Sequence, residues 1–166
     1  DPANRTLTTL QALAGEMAAL FADERVFNIG ADETSKKGQC SDVGATFALE
    51  RHVADHVHGA LGRDVQGWEE LLFAASGAGE ALPDTTVIAS WSRHWAKDVV
   101  AKGYRAIESH NSFFYLNKWG PNHVPLGQAW QDIADGVPAA SKHLLLGGET
   151  SMWTDNYCYV SQCGAG

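Results

Sequence analysis

The sequence predicts an α/β protein built on a parallel sheet of successive βα units, and three observations carry that prediction. Short runs of strand length, rich in Val, Ile, Leu and aromatic residues, recur at 26–29, 64–68, 85–90, 104–109 and 144–149. They alternate with stretches of helical spacing, so neighbouring strands are joined by crossovers too long for hairpins. Run after run also ends in an aromatic or an acid, as expected where parallel strands open their C-terminal ends onto one shared site.

Taken in order, residues 6–21 place Leu7, Leu10, Ala14, Met17, Leu20 and Phe21 at helical spacing, with Thr6 as the expected N-cap. The strand Val26-Phe27-Asn28-Ile29 follows and runs through Gly30-Ala31 into two adjacent carboxylates, Asp32 and Glu33. A polar loop over 35–44 leads to a second helix over 45–61, then to a short strand ending at Trp68 with Glu69 and Glu70 behind it. A brief helix to Ala75 and a Gly-rich loop precede the strand 85–90, which ends at Trp91. The next helix, from about Trp95 to Lys102, stops at Gly103, and strand 104–109 leads to Tyr115. Residues 118–142 hold three prolines and one short predicted helix. The last strand runs into Gly147-Gly148-Glu149, and Trp153 comes just after it.

Neighbouring strand residues face opposite ways, so Asp32 and Glu33 can serve one ligand only where the strand gives way to a loop. One would then reach forward and the other support it from beside. Trp68, Trp91 and Trp153, with Tyr115, are expected to converge there as a pocket walled by aromatic faces, suited to the apolar C–H faces of a sugar ring. The net charge of −8 and pI near 5.2 argue against nucleic-acid or anionic-membrane partners, and no apolar run is long enough to span a membrane. Three cysteines are too few for a disulfide scaffold. Cys158 and Cys163 are able to pair, leaving Cys40 free or bonded outside this chain. His52 and His56 stand one helical turn apart, the spacing of a two-histidine metal site, yet Val53 occupies the place of a metalloprotease glutamate. A solvated helix face is the expected reading, with a metal-dependent hydrolase using His52, His56 and Asp32 as a remote alternative. No metal or other cofactor is expected.

These residues resemble glycoside hydrolase family 20, the β-N-acetylhexosaminidases. That family carries H-x-G-G-D-E at its fourth barrel strand, and Asn28-Ile29-Gly30-Ala31-Asp32-Glu33 lies in its place. Gly67-Trp68-Glu69-Glu70, Ala89-Ser90-Trp91, Gly103-Tyr104-Arg105-Ala106-Ile107, Tyr115-Leu116-Asn117 and Gly147-Gly148-Glu149 with Met152-Trp153 follow in the family's order. The resemblance implies that Glu33 is the general acid and base, and that Asp32 orients the substrate's own 2-acetamido group, which attacks in place of an enzyme nucleophile. It further implies that Tyr115 donates to the acetamido oxygen, that Trp68, Trp91 and Trp153 enclose the sugar, and that Asp155 and Asn117 bind its hydroxyls. Asn28 stands for the motif histidine, Ala31 for its second glycine, and Asn117 where many members have aspartate. Lys118 next to it suggests tolerance of an anionic group on the sugar.

The resemblance assigns residues 1–166 to one partial catalytic domain, equivalent to strands four to eight of a (β/α)8 TIM barrel. A complete barrel takes about 250 residues, against 166 here. Asp1-Pro2-Ala3-Asn4 reads as an internal junction, and a piece of a larger enzyme is the expected origin. Its open sheet edges would then be covered by self-association or by the missing half-barrel. The implied substrate is a glycan or chito-oligosaccharide ending in β-linked N-acetylglucosamine or N-acetylgalactosamine. The implied location is secreted or lysosomal, although the chain holds no signal-like segment. A non-catalytic carbohydrate-binding remnant of such a barrel is the alternative.

Overall fold

The computed structural model of the chain describes residues 5–33, 43–73, 81–116 and 126–153. Helix α1 (Arg5–Leu20) leads into strand β1 (Val26–Asn28), and α2 (Val43–Gly59) into β2 (Asp64–Trp68). Then α3 (Glu70–Phe73) precedes β3 (Val87–Ser90), and α4 (Ala96–Val100) precedes β4 (Arg105–Glu108). Finally α5 (Leu126–Asp135) and a 3-10 turn (Ala139–Leu144) lead to β5 (Leu145–Gly148). The strands form one parallel sheet in chain order, β1-β2-β3-β4-β5, which is the α/β arrangement expected from the sequence. Among the described residues the winding never reverses, so right-handed crossovers leave the connecting helices on the same face.

On that face Val65, Ile88 and Ala106 of the three middle strands join one apolar cluster with Ala54 and Val57 of α2, Leu71 of α3, and Val99 of α4. By strand alternation Gln66, Trp68, Val87, Ala89, Arg105 and Ile107 turn to the opposite face. All four residues of β3 are buried, whereas exposure alternates along β1 and β5 at the edges. The β4–β5 register shifts between Ala106 and Ile107, which pair with Leu145 and Gly147. Leu146 is thus left over as a bulge and lies 51% exposed.

Several elements differ from expectation at their ends. Arg5 is already helical, so Thr6 sits inside the first turn of α1 instead of capping it. The other end of α1 is capped from a distance: the Arg63 guanidinium donates to Ala18 O at 3.3 Å and Ala22 O at 2.8 Å, carbonyls that a helix terminus leaves without partners. Helix α4 is shorter than predicted, but Gly103 does end its turn, with φ at +86° and its N–H on Val100 O. Gly67 marks a close approach: a Cβ there would lie 2.7 Å from a Leu71 methyl and 3.2 Å from Gly30 O.

The two ends of the strands differ in chemistry. At the N-terminal end Asp64 lies 3.0 Å from Arg105 and 3.5 Å from Arg25. Burial pushes the Asp64 carboxyl up, but the Arg105 hydrogen bond and the charges of Arg105 and Arg25 outweigh it and hold it below the usual range. This end ties β1, β2 and β4 together, and the C-terminal end carries the candidate site.

Candidate active site

The acid pair is delivered by an unusual turn. After β1, Ile29 still donates to Gln66 O, and then Gly30, Ala31 and Glu33 adopt φ values of +74°, +69° and +54°. Left-handed backbone costs a non-glycine residue roughly 1–2 kcal/mol, so Ala31 and Glu33 are held there by their surroundings. Asn28 supplies one hold, its Oδ1 accepting the Gly30 N–H at 2.8 Å. Gly30 O in turn accepts the Trp68 N–H at 2.8 Å, tying the turn to β2. The motif glycine replaced by Ala31 thus falls where glycine would be unstrained. Strain of this sort concentrates at functional sites. The turn leaves Asp32 exposed and Glu33 half-buried.

Around it the predicted aromatics converge. Trp68 meets Trp91 edge to face at 6.5 Å, and Trp91 stacks on Tyr115 at 6.3 Å with 13° between the planes. Tyr115 meets Trp153 at 5.9 Å, and Trp153 returns to Trp68 at 6.3 Å, closing a circuit of four rings. Tyr115 reaches Trp153 because the loops after β4 and β5 are paired: Tyr115 bridges Ser151, Leu116 N–H donates to Ser151 O, and Ser151 N–H donates to Phe114 O. Burial, the first cause, together with the negative charges of Asp32, Glu33 and Glu70, pushes the Tyr115 phenol up to about 12, against an opposing hydrogen bond with Trp153. Tyr115 therefore remains an O–H donor throughout the physiological range, and the acids lie close enough to act on it.

A second acid pair, which the sequence reading noted without giving it a role, holds the wall in place. Glu69 is 3% exposed, and its carboxylate accepts the backbone N–H groups of Trp91, Ser92, Arg93 and His94 at 2.7–3.4 Å. Glu70 accepts the Glu33 N–H at 3.3 Å and the Trp91 indole N–H at 3.0 Å. Below them, buried Glu108 at the end of β4 accepts the N–H groups of Ala96 and His110. Burial, reinforced by the charges of Glu69 and Asp98, raises its carboxyl to about 7 despite those two donors. The repeated pattern of a strand ending in an acid was the available signal. The partners, more than twenty residues away for Glu69, were not in it.

Asn117 and Asp155 lie outside the described residues, as do Lys118, Cys40, Cys158 and Cys163. His52 is exposed on α2, His56 is half-buried, and His58 pairs instead with Thr85 Oγ1 at 3.3 Å. Among the described residues no group of three or more His, Cys, Asp or Glu side chains is placed to hold a metal ion. Nor is any described helix long and apolar enough to cross a membrane.

Comparison with known proteins adds to this geometry. Beta-hexosaminidase subunit B2 of Dictyostelium discoideum is 30% identical over 103 residues, covering 57% of this chain and 17% of that protein. The solved structure of an inactive D437A mutant of a GH20 exo beta-N-acetylglucosaminidase from Vibrio harveyi superposes with a TM-score of 0.64 at 22% identity, over 94% of this chain and 28% of the other. Dispersin B gives a TM-score of 0.64 at 17% identity, over 94% of this chain and 54% of its own. The chain thus spans only part of the length of each. Residues 1–159 match the family model described as glycosyl hydrolase family 20, catalytic domain, and with the parallel sheet and its converging strand ends the chain belongs to that family.

Proposed function

We propose that the site hydrolyses terminal, non-reducing β-linked N-acetylglucosamine or N-acetylgalactosamine from a glycan or chito-oligosaccharide, with retention of configuration. The observation that carries this reading is the closed circuit of Trp68, Trp91, Tyr115 and Trp153 beside the Asp32–Glu33 turn. Flat indole faces suit the C–H faces of a pyranose and the acetamido methyl. Membership of the family, and the names of a beta-hexosaminidase subunit and an exo beta-N-acetylglucosaminidase among the similar proteins, support the same reading.

In the mechanism, Glu33 gives its proton to the glycosidic oxygen as the C1–O bond breaks, and the acetamido carbonyl oxygen of the substrate attacks C1. Asp32 accepts the acetamido N–H and so polarises the group. Tyr115, kept protonated to about 12, donates to the acetamido oxygen as an oxazolinium ion forms. Glu33, now a base, takes a proton from water, which attacks C1 and restores the acetamido group. Asn117 and Asp155 are assigned to the sugar hydroxyls, and the family suggests a secreted or lysosomal location.

The test is hydrolysis of 4-nitrophenyl N-acetyl-β-D-glucosaminide by the chain and by Glu33→Gln, at acidic to neutral pH. The variant is expected to lose at least roughly 10²-fold in kcat, the scale of a general acid. A second reading, a carbohydrate-binding remnant without turnover, is favoured by the small share of each relative that the chain spans. It predicts tryptophan quenching by N-acetylglucosamine and no chromophore release from either protein.

A further inference from the structure

Glu70 takes no part in the chemistry above, yet both its oxygens are engaged with groups that do. Oε1 accepts from the backbone of Glu33, and Oε2 accepts from the indole of Trp91. The residue opens α3, directly after β2, so it reaches sideways in both directions, to the turn after β1 and to the loop after β3. The contact with Glu33 falls on an N–H whose residue has φ of +54°, a conformation that needs an outside hold. The contact with Trp91 fixes the plane of a ring that Tyr115 stacks upon within 13°. Glu69 meanwhile anchors the backbone of the same loop, leaving the Trp91 side chain to Glu70.

We infer that Glu70 is a positioning residue that locks the turn bearing Glu33 and the plane of Trp91 into one shared geometry, so that acid and aromatic wall meet the sugar together. Its effect on turnover rests on the hexosaminidase reading, but the bracket itself does not. In Glu70→Gln only one oxygen remains to accept, and the new amide faces the other N–H donor-to-donor. One of the two holds is lost while volume and fold are kept.

The experiment pairs kinetics on the 4-nitrophenyl substrate with deuterium exchange of the indole protons, the Trp91 resonance being assigned with Trp91→Phe. Glu70→Gln is expected to lower kcat roughly 10- to 100-fold, the scale of a sub-ångström to 1 Å misplacement, with KM changed less than about threefold. The Trp91 indole proton should exchange faster while the Tm stays within a few degrees. In the Trp91→Phe background the same change should lose part of its effect on kcat, because one of the two bonds made by Glu70 is already gone. An unchanged kcat with unchanged Trp91 exchange overturns the inference, as does a fall in kcat that tracks Tm alone. If Glu70→Gln does not fold, Glu70→Asp keeps the charge and shortens the reach, and unchanged indole exchange there overturns it equally. If the parent chain does not hydrolyse the substrate, the hexosaminidase reading fails, and indole exchange alone decides the bracket.

Discussion

In the middle of the sheet all four residues of β3 are buried, whereas on the β1 flank Val26 is 40% exposed and α1 presents Leu13, Met17 and Leu20 outward, Leu20 at 76%, with exposed Phe21 just past its end. The site draws on both regions. Trp68 and Trp91 stand on the ends of the well-packed β2 and β3, while Asp32 and Glu33 hang from the partly exposed β1 edge of the sheet. The strands under the wall are fixed by the core and the Trp91 loop by Glu69 and Glu70, while the acids are held from the side, through Asn28 Oδ1, the Gly30–Trp68 bond and Glu70. Where strands give little burial, lateral hydrogen bonds carry the geometry.

The sharpest way to break this contrast is to cut the core on each side of it. Ile88→Ala in β3, at 0% exposure, should destabilise by about 2–5 kcal/mol in urea unfolding, and Leu20→Ala in α1 by about 0.5 kcal/mol. A Leu20→Ala loss of core size would mean that the outward face of α1 is covered in solution. Next in size is a pH effect centred under β4. Glu108 rises from 4.5 to about 7 on folding, so between those values the folded chain keeps a proton that the unfolded chain has lost. Stability should therefore fall by about 3 kcal/mol as pH climbs from 4.5 through 7. Glu108→Gln should flatten that slope, and an unchanged slope would move its origin elsewhere. The smallest effect concerns the turn itself. Ala31→Gly removes the penalty of φ +69° and, after the greater freedom of an unfolded glycine is offset, should stabilise by about 0.5–1 kcal/mol. A destabilised variant would mean that the Ala31 methyl, only 8% exposed, matters more than the backbone.

Much of the fold was legible because parallel strands, buried on both faces, write themselves as apolar runs, as Val87-Ile88-Ala89 does. The convergence of Trp68, Trp91, Tyr115 and Trp153 was legible because each follows a strand end, and parallel strands share one end. The work of Glu69, Glu70 and Glu108 was not, since each depends on which loop lies beside it in space. Glu33 gave no sign of positive φ, and at Ala31 the sign lay only in the motif glycine it replaces, since neither residue is itself a glycine. Thr6 looked like a cap by composition alone, and Arg5 was already helical.

Gly67 shows how an absence of atoms can govern chemistry. The space its missing side chain leaves is filled by a Leu71 methyl and by Gly30 O, the same oxygen that binds Trp68 and steadies the acid turn. Any larger residue would push Leu71 out of its buried place or displace the carbonyl, and with it Asp32 and Glu33. Position 67 is therefore constrained for a steric reason, although it offers a substrate nothing to touch.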